Sequence, residues 1–77
     1  MYFVYVLKNG RTKEIYYGFT NNLDRRLLEH SKDKEGFDLV YYEAYNSEGD
    51  ARKREKRLKN YAQALTALKT RISESLR

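Results

Sequence analysis

The sequence predicts an α+β fold in which a small antiparallel sheet is covered by helices. Three observations carry that expectation. Three short runs, Met1–Leu7, Ile15–Thr20 and Phe37–Tyr45, are dense in aromatic and β-branched residues, the composition of strands. Three further stretches show helical spacing of apolar residues or helix-capping signals. The resulting order, ββαβαα, suits a small antiparallel sheet with helices laid against it.

In Met-Tyr-Phe-Val-Tyr-Val-Leu both alternating sets are apolar, so this strand is expected to be covered on both faces and central in the sheet. Asn9-Gly10 marks a turn, and Ile15–Thr20 returns as the second strand of a hairpin. Tyr5 and Tyr16 face the same way only if the hairpin loop holds an even number of residues, since a one-residue slip moves a side chain to the other face. Gly18 breaks the second strand, where a missing side chain allows an unusual backbone angle or close approach of a ligand. Asn21 or Asn22 can cap a helix from Leu23 to Ser31, with Asp24 in its positive first turn and Leu23 and Leu27 as its buried stripe. A charged loop, Lys32–Gly36, leads to the third strand. Ser47 and Asp50 resemble a capping box for a helix over Glu48–Asn60. Leu65, Leu68, Ile72 and Leu76 predict a last amphipathic helix over Ala62–Leu76 that closes the core.

The 77 residues are expected to form one domain, 1–77. There is no cysteine, which excludes a disulfide framework, thiolate metal sites and a cysteine nucleophile; a single histidine rules out a zinc cage of imidazoles. No apolar run approaches the roughly 20 residues of a membrane span and no signal-peptide pattern opens the chain, so a soluble, cytoplasmic protein is expected. Residues 1–46 carry seven Lys/Arg and seven Asp/Glu, whereas residues 47–77 carry nine and four, so the whole net charge of +5 lies in the second part. Such asymmetry points to an anionic partner. Eight tyrosines beside three phenylalanines supply flat rings that build a core or stack on bases.

From Tyr16 to His30 a strand end, a helix start, a guanidinium and an imidazole converge, a combination suited to a phosphate. The same residues also read as an ordinary strand–helix junction with solvated charges. Arg26 can bind a phosphate oxygen and offset charge that builds up in a transition state. His30 can carry a proton, its unperturbed pKa being about 6.5, or be merely solvated. Tyr5 and Tyr16 are core residues unless a nearby cation stabilises phenolate, because a free phenol titrates near 10. Ala51, Glu55 and Leu58 share a helix face, which puts a carboxylate in the middle of a core-facing stripe. Glu55 either pairs with a neighbouring Lys or Arg or turns into a cleft to hold one divalent ion, with water and substrate phosphate completing the shell. The basic run Arg52, Lys53, Arg54, Lys56, Arg57 and Lys59 reads as a solvated face or as a patch that tracks a nucleic-acid backbone, with Arg25 beside it in kind.

Together these residues resemble the GIY-YIG nuclease superfamily in its stand-alone, single-domain bacterial form. The first motif corresponds to Phe3-Val4-Tyr5 and the second to Tyr16-Tyr17-Gly18. The pattern continues through Thr20, Asn22-Leu23, Arg26 and His30, the strand Leu39-Val40-Tyr41-Tyr42-Glu43, and Arg54-Glu55-Lys56-Arg57-Leu58-Lys59. The resemblance implies a three-stranded antiparallel sheet flanked by helices, and cleavage of nucleic-acid phosphodiester bonds with one divalent metal, Mg²⁺ or Mn²⁺. It makes Tyr5 the general base or water-orienting group, with Tyr16 assisting, Arg26 steadying the scissile phosphate, His30 in proton transfer or orientation, and Glu55 binding the metal. Phe3 stands where the first motif has glycine and Tyr17 where the second has an aliphatic residue. Many nucleases of the superfamily also carry an asparagine about one helix beyond the metal glutamate, and none lies near Gln63–Ala67.

The leading expectation is a metal-dependent endonuclease acting on DNA, in branched, damaged or single-stranded forms and hence in DNA repair. The alternatives are a nucleic-acid-binding module without turnover and a protein-interaction domain whose basic face only solubilises it.

Overall fold

The computed structural model describes residues 1–60 and 62–76, with Ala62 described in its backbone only. Its elements are β1 (Tyr2–Asn9), β2 (Ile15–Thr20), α1 (Leu23–Asp33), β3 (Phe37–Tyr45), α2 (Glu48–Asn60) and α3 (Ala62–Arg71). The strands form one antiparallel sheet in the order β2-β1-β3, so the doubly apolar strand is central, as its composition requires. One face of β1 contributes Val4 and Val6 to a core completed by Ala51 and Leu58 of α2 and Leu68 of α3. Burial of the valine and leucine side chains contributes about 1.5–3 kcal/mol each. The other face of β1 carries Tyr5 and Leu7, both fully enclosed, and α1 lies over it.

The hairpin register resolves in favour of one shared tyrosine face. Tyr5 pairs with Gly18 and Leu7 with Tyr16, which puts Tyr5 and Tyr16 on the same side. The closing pair is Asn9 and Glu14, joined by a 2.9 Å bond from Asn9 N–H to the Glu14 carbonyl, so the turn comprises Gly10–Lys13 and is even in length. Asn9 acts through its side chain: Oδ1 accepts from the Arg11 and Thr12 amides at 2.8 and 3.0 Å. The left-handed residue of the turn is Lys13, at φ 67°, not Gly10.

Helix α1 runs two residues past the expected Ser31. The Lys34 amide still reaches the His30 carbonyl at 2.7 Å, and the chain then turns through Gly36 at φ +87°. At the other end Asn22 is the cap, accepting from the Arg25 amide at 3.1 Å, while Thr20 Oγ1 accepts from the Asn22 amide at 3.1 Å and holds the strand-to-helix turn. Leu23 and Leu27 are only half-buried and Leu28 is exposed. The most deeply buried residue of α1 is His30, at 6% exposure, so the inward stripe ends on an imidazole.

Helix α2 is held by more than the core. Arg54, expected in the solvated basic face, instead turns inward and grips Glu43 of β3 with two bonds, Nε to Oε1 at 2.9 Å and a terminal nitrogen to Oε2 at 3.1 Å. The Tyr41 hydroxyl donates to Glu43 Oε2 at 2.6 Å, and the Tyr45 hydroxyl donates to Oε1. Burial raises the Glu43 pKa, but the hydrogen bonds from Arg54, Tyr41 and Tyr45 outweigh it and leave the carboxyl below its ordinary value. Burial and the Glu43 carboxylate together push the Tyr45 phenol up to about 12. Ser47 caps α2 through a 3.3 Å bond from the Asp50 amide to its hydroxyl.

The last helix ends at Arg71, short of the expected Leu76, and residues 72–76 continue as turns. Ser73 and Ser75 compete with the helix by bonding nearby backbone and favour turns, and the Lys8 ammonium takes the Leu76 carbonyl as a partner.

Candidate active site

Four of the sequence-selected residues meet on the α1 side of the sheet. The Tyr5 hydroxyl lies 2.7 Å from His30 Nε2, and Arg26 Nε donates to the same phenol oxygen at 3.4 Å. A guanidinium can only donate, so the phenol accepts from Arg26; in the His30 tautomer that carries its proton on Nδ1, the phenol donates its own proton to Nε2. That assignment requires a neutral imidazole. Burial pushes the His30 pKa below 6.5, and the Arg26 and Lys34 cations push it the same way. Burial likewise raises the Tyr5 pKa, against the lowering effect of Arg26. The resting pair is thus neutral phenol and neutral imidazole.

Tyr16 completes the cluster from β2. Its ring stands edge-on to His30 at 5.2 Å and tilted against Tyr5 at 6.3 Å between centroids. Lys34 places its ammonium 4.3 Å from the centre of the Tyr16 ring. Sequence reasoning missed Lys34, the residue that follows α1 once the helix extends to Asp33.

Gly18 has a definite task here. Its φ lies outside the left-handed region, and the Tyr5 ring packs directly against it. A Cβ at this position would sit 2.5 Å from the Tyr5 hydroxyl oxygen and 2.7 Å from Cζ. The glycine of the second motif is therefore what lets the tyrosine of the first lie flat across the neighbouring strand.

Arg26 connects this buried centre to solvent. With its side chain 39% exposed, it pairs with Glu29 at 3.6 Å and lines a cleft of about 520 Å³ together with Thr20, Asn21, Arg25, Glu48 and Arg52. Arg25 shares Glu29 at 3.9 Å, and Arg52 pairs with Glu48 at 2.9 Å while its guanidinium stacks on Phe19 at 4.4 Å. The Glu29 partnership was readable as an i, i+3 and i, i+4 spacing from the two arginines. Three guanidinium groups against two carboxylates leave the cleft net positive.

Glu55 lies elsewhere. It sits on α2 between the core residues Ala51 and Leu58, with a half-buried carboxylate paired to Lys59 at 3.1 Å. No hydrogen bond, ion pair or ring contact among the described residues joins it to the Tyr5 cluster. Glu48, Arg52 and Glu55 follow at i, i+4 and i+7, so Glu55 continues the edge of α2 that walls the cleft. Lys53, Lys56 and Lys59 are exposed along the same helix.

A family model for the GIY-YIG catalytic domain matches residues 1–69. The chain belongs to the GIY-YIG family. No curated protein and no solved structure matches it significantly. GIY-YIG proteins are nucleases that generally use divalent metal ions, so membership implies nucleic acid as the substrate class. No helix among the described residues is long and apolar enough to cross a membrane.

The donor set of this GIY-YIG chain bears on the metal. No group of three or more His, Cys, Asp or Glu side chains gathers among the described residues. One carboxylate fits a hard cation that keeps its waters and takes its remaining ligands from phosphate, the usual habit of magnesium.

Proposed function

We propose that this GIY-YIG chain is a metal-dependent endonuclease that hydrolyses DNA phosphodiester bonds. One observation carries the reading: the Tyr5 phenol is hydrogen-bonded between a neutral imidazole and an arginine whose outer end opens into a cationic cleft.

The scissile phosphate binds in that cleft and draws Arg26 outward. The 3.4 Å bond from Arg26 to the phenol is the weakest of the cluster and gives way first. The freed lone pair of Tyr5 then accepts a proton from the attacking water as its own proton passes to His30 Nε2. The balance is one water O–H bond broken and one imidazole N–H bond formed, with no free phenolate required. The water oxygen bonds to phosphorus as the P–O bond to the departing strand breaks. The departing oxygen takes a proton from solvent, and His30 returns its proton to solvent. Tyr16 holds the two rings in register and borders the water. Arg26 stays on the phosphate, where it offsets the charge of the pentavalent state. Glu55 would hold the metal ion, which supplies further positive charge to the phosphate. Arg25, Arg52, Lys53, Lys56 and Lys59 contact the flanking backbone and make binding salt-dependent.

A second reading, a nucleic-acid-binding module without turnover, is favoured by the full enclosure of Tyr5 and the existing Glu55–Lys59 pair. The two separate when nicked, branched and single-stranded DNA are incubated with the protein and Mg²⁺, Mn²⁺ or chelator. Chelator-sensitive cleavage that falls about 100-fold or more in Tyr5→Phe and Glu55→Ala supports the endonuclease. Cleavage that survives both substitutions sinks it, and salt-sensitive binding with no cleavage identifies the module.

A further inference from the structure

A second groove opens on the same side of the sheet as Tyr5, and its chemistry differs from that of the arginine cleft. It has a volume of about 320 Å³ and is lined by Phe3, Asn21, Asn22, Leu23, Asp24 and Tyr42. Tyr42 pairs with Tyr5 in the β1–β3 ladder and therefore shares its face. Unlike Tyr5 it is 52% exposed, and its ring is braced edge-on by Phe3 at 6.2 Å. The rest of the lining is two amides, one carboxylate and one leucine. Asn22 lines the groove while its Oδ1 accepts from the Arg25 amide to cap α1, so its amide NH2 is the group left to donate. No Lys or Arg lines it, so it has nothing with which to hold a phosphate.

Asn21 lines both this groove and the arginine cleft. Cationic on one side of the Asn21–Asn22 turn and aromatic with amide donors on the other, the two hollows match the two halves of one nucleotide. We propose that the Phe3–Tyr42 groove is a nucleobase subsite, in which an unpaired base stacks on the exposed Tyr42 ring while its phosphate lies against Arg25 and Arg26. The inference rests on the nucleic-acid reading above and adds the substrate form to it. A base stacked inside a continuous duplex has no free face to give Tyr42, so the subsite selects single-stranded or unpaired positions. Asn21, Asn22 and Asp24 contact the base edge and set whatever preference exists among bases.

The test uses binding in chelator, measured by fluorescence anisotropy with three labelled probes: a single strand, its duplex, and an abasic deoxyribose-phosphate strand of equal length. Wild-type protein is expected to bind the base-bearing strand roughly fivefold or more tighter than the abasic one, as stacking on one ring implies. Tyr42→Ala should erase that difference without weakening abasic binding, and Tyr42→Phe should preserve it. Because the ring is half exposed, the alanine variant should keep its melting temperature nearly unchanged, and a melt verifies that both variants are folded. Equal losses on base-bearing and abasic strands in Tyr42→Ala, or no loss on either, overturn the subsite while leaving the endonuclease reading intact. Wild-type protein that binds none of the three probes overturns both.

Discussion

Gly18→Ala is the most direct probe of how the two tyrosine motifs fit together. The added Cβ would meet the Tyr5 hydroxyl oxygen at 2.5 Å, Cζ at 2.7 Å and Cε1 at 3.1 Å. An exposed side chain would swing aside at little cost, but Tyr5 is completely enclosed and tied at its tip to His30. Two outcomes share the strain: the strands part locally, or the phenol shifts and lengthens the 2.7 Å bond. Overpacking of this kind costs about 1–3 kcal/mol, and loss of the phenol–imidazole bond adds about 1 kcal/mol. For a chain of this size, 2 kcal/mol corresponds to a fall in melting temperature of roughly 8–16 °C. Circular-dichroism melts measure it, alongside cleavage assays at a temperature where the variant is still folded. Tyr5→Phe removes the nearest atom but leaves Cζ at 2.7 Å, so Gly18→Ala should cost less in the phenylalanine background and yet not become neutral. A wild-type melting temperature for Gly18→Ala, with undiminished cleavage, would refute the close packing of Tyr5 on β2. Full additivity of the two substitutions would show that they do not touch.

Two further outcomes follow from local structure. Lys13 holds a left-handed backbone angle that glycine adopts freely, so Lys13→Gly should stabilise the hairpin by a few tenths to about 1 kcal/mol, read as a small rise in denaturant midpoint; a loss would mean the turn is built differently. His30 is buried neutral with its pKa below the unfolded value of 6.5, so the unfolded chain binds the extra proton first. Stability should therefore be complete above pH 6.5 and decline as pH falls below it towards the folded pKa, and His30→Gln should remove that part of the slope in urea titrations at stepped pH.

The strands and their order were legible because each is a run of aromatic and β-branched residues bounded by turn formers. The identity of the central strand was also legible, since Tyr2–Leu7 has no polar face. Register was not. Whether Tyr5 and Tyr16 share a face depends on Asn9 and Glu14 closing the hairpin, and a composition rich in tyrosine on both alternating sets carries no preference between registers. Val6 pairs with Tyr41 and Leu7 with Leu39, so Val40 is the extra residue of a bulge in β3; this too is silent in sequence, although it fixes which side chains of β3 face α1. His30 shows the limit for site residues. A lone histidine in a charged helix reads as solvated, and its burial follows only from Tyr5 lying across Gly18 to meet it. Arg54 is the converse case: six cations in eight residues look alike until one finds Glu43, eleven positions away on another element. Spacing rules see neighbours on the same helix and miss partners brought in by the sheet.

The placement of Glu55 has a consequence for how the site assembles. Tyr5, Tyr16, Arg26 and His30 lie on one face of the sheet, while α2 packs its Ala51–Leu58 stripe against the other. The two layers meet around β2, an edge strand, where Arg26 from α1 and Arg52 from α2 wall the same cleft. A phosphate in that cleft touches both layers at once, and the edge of α2 that supplies Arg52 continues to Glu55 one turn on. A single carboxylate already shared with Lys59 has little affinity for a divalent ion in water. Phosphate oxygens change that balance by adding ligands and by competing for Lys59. Metal and substrate therefore bind with positive coupling in the proposed mechanism, each supplying what the other's site lacks. The Glu43–Arg54 clamp fixes α2 against β3 and so, in the proposed mechanism, limits how far Glu55 would move to meet an ion. In the proposed mechanism the chemistry is divided between two helices on opposite faces of a three-stranded sheet, and the substrate itself is the piece that joins them.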